Sequence, residues 1–82
     1  MLMLEDENID SAIFEDLRLT VIKRGGGWRA TVEDVDDPNT RMSDGTEYAS
    51  PDKAKRAAVN IARELFGTNV HEDELEWRGR QR

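Results

Sequence analysis

The chain has 82 residues, no cysteine, and 12 basic against 18 acidic side chains, a formal net charge of −6. That length holds one domain, 1–82, and the missing thiols exclude disulfides and thiolate metal sites. The sequence has no bilayer-length apolar run and no basic-then-apolar leader, so we expect a cytoplasmic protein with no membrane partner.

The charge is unevenly spread. Residues 1–22 hold six acids and one base, net −5. Residues 51–66 hold four bases and two acids, net +2. A globally acidic chain is repelled by phosphate backbones at long range. Any cationic face must therefore come from the 51–66 segment, helped by Lys23, Arg24, Arg29 and the C-terminal "RGRQR".

"MLMLEDEN", residues 1–8, reads as a flexible terminus. "NIDSAIFEDL" follows, with Ile9, Ile13 and Phe14 at helical spacing and Asn8 or Asp10 as a cap, and we expect a short helix there. In "LRLTVIK", Leu17, Leu19 and Val21 alternate with Arg18, Thr20 and Ile22, the period-two signature of a strand. Three consecutive glycines, Gly25 to Gly27, then mark a hairpin turn, because glycine accepts positive φ without steric cost. A phosphate-cradling loop does not fit them, since no Gly-Lys-Ser/Thr and no helix start follows.

"WRATVEDV" reads as the second strand, with Trp28, Ala30 and Val32 on one face and Arg29, Thr31 and Glu33 on the other. Trp28 is expected to anchor the core. "DDPNTRMSDG" reads as a loop from its Pro, Asp, Asn and Gly content. Its acids, with Asp34 before them, do not follow calcium-loop spacing, which needs Gly at the sixth and Glu at the twelfth position. We read them as a solvated turn and expect no metal.

"TEYAS" reads as a short third strand. Ser50 then caps a helix, with Pro51 at its first position and Asp52 against the positive end of the macrodipole. Ala54, Ala57, Ala58, Ile61, Ala62 and Leu65 form its apolar stripe, and Gly67 stops it. In the last segment Leu75 and Trp77 alternate with Glu74 and Glu76, which suits a fourth strand or a docked tail; residues 79–82 read as a flexible end.

The expected fold is a two-layer α+β sandwich. A three-stranded antiparallel sheet is covered by one main helix, in the order (α)βββα with a further strand possible at the C-terminus.

Catalytic chemistry finds little support in these residues. His71 is the one histidine and sits among carboxylates in "HEDE". The serines have no recognisable base partner, and Ser50 is already used as a cap. We therefore expect no enzyme and no cofactor. Lys53, Arg56, Asn60 and Arg63 fall at i, i+3, i+7 and i+10 along one side of the helix, with Lys55 on the opposite flank. Helix starts favour anions, so Lys53, Lys55, Arg56 and Arg63 are the candidate contacts for a nucleic acid or an acidic partner.

"WRATV" followed by "SPDKAKRAAVNIAREL" resembles the second half of double-stranded-RNA-binding domains. In those domains a third strand leads into a helix of pattern S-K-K-x-A-K-x-x-A-A. Ser50, Ala54, Lys55 and Ala58 match it in register. Pro51 and Asp52 stand where the first two signature lysines would be, so the resemblance implies that fold more than it implies RNA binding. Gly26, Trp28, Ala30 and Val32 also resemble the "G-x-W-x-A-x-V" strand of the small HicB-like antitoxin domains, whose β-β-β-α-β layout ends on a strand after the helix.

The function expected from these residues is that of a small non-catalytic binding module. Its work would be protein–protein interaction or regulation, antitoxin-like in one form. The alternative is weak binding of double-stranded RNA through the basic start of the helix. A protein partner is expected ahead of nucleic acid, and a homodimer through an exposed edge strand is a further possibility.

Overall fold

The structure is a computed structural model and describes residues 9–80. The expected flexibility of residues 1–8, and of 81–82 in the tail, lies outside the described residues. The elements are β1 (Ile9–Phe14), β2 (Leu17–Arg24), β3 (Gly27–Asp34), β4 (Asp37–Ser43), α1 (Pro51–Leu65), a 3₁₀ turn at Glu72–Glu74, and β5 (Arg78–Arg80). The fold is α+β: one helix on a five-stranded antiparallel sheet of order β4-β3-β2-β1-β5.

β1 to β4 form a meander joined by two-residue turns at Glu15-Asp16, Gly25-Gly26 and Val35-Asp36. Such tight reversals favour positive φ at a central residue, because that twist matches the twist of the strands. Gly25 adopts φ +58 without cost, whereas Glu15 adopts φ +57 as an ordinary L-residue. Gly27 has a different task. A Cβ there would stand 3.0 Å from Glu47 Cβ and 3.3 Å from the Tyr48 carbonyl oxygen. The absent side chain thus lets the segment before the helix lie against β3.

The core sits between the helix and one sheet face. Leu17, Leu19 and Val21 from β2 and Ala30 and Val32 from β3 are buried, as alternation predicts. From the helix come Ala54, Ala57, Ala58, Val59, Ile61 and Ala62. The alanines keep that surface low, so the helix lies close on β2 and β3. Leu19, Val21, Val32 and Val70 are fully buried, each stabilising the fold by about 1.5–3 kcal/mol. Leu65, expected to end the apolar stripe, is instead exposed in the last helical turn.

The helix ends are built as the sequence indicates. Ser50 Oγ accepts from the Lys53 N–H at 3.3 Å, and Pro51 opens the first turn. At the other end Gly67 takes φ +70, and both the Thr68 N–H and its hydroxyl donate to the Ala62 carbonyl at 3.2 Å. The chain then turns back, burying Val70 and packing Leu75 and Trp77 against the core before β5 adds to β1.

Several expectations are corrected. Residues 9–14 form a strand, not a short helix: Ala12 faces the core and Ile9, Ser11 and Ile13 the opposite side, a period of two. Pairing with β2 decides this over weak local propensity. "DPNTRMS" is strand β4, not a loop. It is an edge strand, and its ladder breaks between Glu33 and Asp34, so Pro38 to Thr40 have no partner in the register. That position suits a proline.

"TEYAS" contributes only an isolated bridge, in which Tyr48 and Trp28 exchange backbone hydrogen bonds of 2.9 and 2.8 Å. The last strand is Arg78–Arg80, following Leu75 and Trp77 instead of containing them, and it takes in Gly79 and Arg80 from the expected tail. Trp28 is half-buried and lies outside the buried cluster. It pairs with Lys23 one step from the hairpin turn, at the margin of the helix's cover.

Candidate binding surfaces

The helix holds the four basic residues singled out by the sequence, and the structure does not gather them into one patch. Lys55 lies on the flank facing β1. Its Nζ is 3.2 Å from Asp10 Oδ2 and 5.3 Å from the centroid of the Trp77 ring. Both members of this ion pair are about three-quarters buried, at 25% and 26% side-chain exposure. Arg56 Nε donates to Glu72 Oε2 at 3.1 Å, across to the 3₁₀ turn. Lys53 and Arg63 are exposed, and among the described residues neither meets a carboxylate. Asp52 is exposed in the same first turn as Lys53.

Beside the helix is a shallow depression of ≈ 300 Å³ lined by Tyr48, Lys53, Arg56, Ala57 and Asn60. The hydroxyl of Tyr48 donates to Asp44 Oδ2. That bond, with burial and the negative charge of Asp44, raises the Tyr48 pKa above its ordinary value of 10.0. The acids of the β3–β4 region are taken up by turn geometry. Asp34 Oδ1 accepts from the Asp36 N–H at 2.9 Å, Asp37 Oδ1 from the Asn39 N–H at 3.3 Å, and Asp44 Oδ1 from the Thr46 N–H at 3.0 Å. Asp34 and Asp36 do meet Asp16 of the neighbouring turn, with carboxylate oxygens within 4.8 Å of one another. Asp37 and Asp44 stand outside that group. His71 is exposed, and its backbone N–H donates to Glu74 Oε1 at 3.1 Å.

The sheet's second face is a surface the sequence reading did not assemble. The helix covers one face only. Register places three rows of side chains across the other. The first runs Arg41, Glu33, Arg18, Ile13. The second runs Ser43, Thr31, Thr20, Ser11, Arg78. The third runs Arg29, Ile22, Ile9. Arg24 follows Ile22 on the same face of β2.

Glu33 is shared, accepting from Arg18 at 2.9 Å and from Arg41 at 3.4 Å. Arg29 and Arg78 meet Glu47 and Glu76 at 3.5 and 3.7 Å. That Arg18, Thr20 and Ile22 share one face of their strand, and Arg29, Thr31 and Glu33 one face of the next, was visible in the strand patterns. The rows become continuous only once β1, β4 and β5 are recognised as strands. Comparison of the chain with protein-family models, with curated proteins and with solved structures finds no match.

Proposed function

We propose that this chain is a small non-catalytic binding module that works by protein–protein contact, in a regulatory, antitoxin-like role. The observation that carries the reading is the sheet face that the described residues leave uncovered, a broad surface of charged, hydroxyl and apolar side chains on the meander. Two features support it further. Among the described residues no polar or charged side chain is buried as deeply as the apolar core, whereas tuned catalytic groups need such a setting. The strand after the helix is also the feature that the resemblance to antitoxin domains implies.

Duplex-RNA binding at the helix start is the competing reading. It would require Lys55 to leave Asp10 and Trp77, and Arg56 to leave Glu72. An electrophoretic shift with duplex RNA at low and high salt separates the two, because phosphate contacts give a strongly salt-dependent complex. We expect no complex at low salt, and a shift that fades with salt would overturn the protein-binding reading. In affinity capture with the tagged chain, a specific protein partner should still bind the Lys53→Glu/Arg56→Glu variant. Lys55 is left intact in that variant because its charge holds β1.

A further inference from the structure

We infer that the open sheet face is the docking surface and that its partner is a carboxylate-rich protein surface carrying apolar side chains. This deepens the proposal above and rests on it. Arg18, Arg24, Arg29, Arg41 and Arg78 project from one face of a chain whose net charge is −6. A chain with excess acid has nevertheless placed arginine after arginine on the sheet face away from the helix. Arginine forms bidentate pairs with carboxylates and is enriched at protein interfaces.

The intramolecular pairs on this face do not close it. Arg18 and Arg41 share the single carboxylate of Glu33. The Arg29–Glu47 and Arg78–Glu76 contacts are long and exposed at both ends, and exposed pairs of that kind are worth about 0–1 kcal/mol. An incoming carboxylate exchanges for them at little cost. Between the arginine rows, Ser11, Thr20, Thr31 and Ser43 offer hydroxyl donors. Ile9 and Ile22 stand directly opposite one another and Ile13 is 55% exposed, giving apolar area that a partner's aliphatic side chains would cover.

The same face argues against nucleic acid as the occupant. Sheets that bind single strands stack bases on aromatic side chains. The five aromatic residues of this chain lie elsewhere: Phe14, Tyr48, Phe66 and Trp77 pack against the core, and Trp28 is on the helix side of β3.

The test is an amide-resolved NMR titration of the full chain at low salt. Its probes are a short synthetic peptide of repeating Glu-Glu-Leu and, separately, oligothymidylate. The acidic peptide should move the amides of β2 and β3 together with Ser11 and Arg78. Arg18→Gln/Arg29→Gln should weaken it about tenfold, as removal of interface charge does. Arg24→Gln, which breaks no ion pair among the described residues, provides a second variant whose spectrum reports an unchanged fold; it should also weaken binding.

Peptide-induced shifts confined to the helix would overturn this assignment of the face while leaving a protein-binding role intact. Oligothymidylate binding at the face with the peptide silent would overturn both. Silence from both probes would overturn the face assignment.

Discussion

Lys55 and Asp10 join the helix to the first strand, with Nζ and Oδ2 3.2 Å apart. The Trp77 ring lies on the same ammonium, so the C-terminal segment is drawn to the same point. One of the four candidate contact residues is therefore a structural tie. Lys55→Met keeps the aliphatic stem but loses the charge, and it should lower stability by about 1 kcal/mol. Lys55→Glu, facing Asp10, should cost more. Thermal unfolding reads both, at about 4–8 °C per kcal/mol for a domain of this size.

Tyr48 is the single tyrosine, so tyrosinate absorbance reports it alone. Its hydroxyl hydrogen bond to Asp44 favours the protonated form and raises its pKa above 10.0. The stability contribution is fully present below the unfolded-state pKa and disappears as pH rises through the higher folded-state value. Asp44→Ala should move the titration midpoint down toward that of a free tyrosine. An unchanged midpoint would mean that Asp44 does not hold the hydroxyl in solution.

Glu15 occupies the left-handed region at φ +57, where an L-residue pays about 1–2 kcal/mol. Asparagine tolerates that conformation. Glu15→Asn should therefore raise stability by about 0.5–1 kcal/mol, an outcome readable in urea unfolding with an unchanged slope.

Val70 is fully buried on the return path from helix to β5. Val70→Ala should cost about 2 kcal/mol through lost burial and a residual cavity. Amide exchange in Arg78–Arg80 should speed up more than exchange in β2, because Val70 helps hold the segment that delivers β5.

The legible part of the fold was the part whose local signals agreed with its neighbours. Leu17 to Arg24, Gly27 to Asp34 and the capped helix each carried a clean period and proper end signals. β1 was not legible because Ile9, Ile13 and Phe14 mimic a helical face; only pairing with Thr20 and Leu19 separates Ser11 from Ala12. β4 was hidden by Asp37, Pro38 and Asn39, all poor strand formers that an irregular edge accommodates. The sequence places the four basic residues on the helix, but it carries no local sign that Asp10 would meet Lys55 or that Glu72 would meet Arg56. The arginines of the open face were individually visible and collectively invisible, since a row across a sheet exists only in its register.

β5 pairs with β1 and not with β4, so Ile9 and Arg80 face each other across one ladder. The described chain is nearly a ring. The backbone at Ile9 and the backbone at Arg80 therefore lie side by side at the same end of the sheet, Arg80 on the edge strand and Ile9 on its neighbour. A short linker from residue 80 to residue 9, with the chain reopened at the Val35-Asp36 turn, should yield a circular permutant with every strand neighbour preserved. A tag joined directly at Ile9 or Arg80 would stand beside the Ile9–Ile22 pair, whereas one placed in the β3–β4 turn leaves that pair clear.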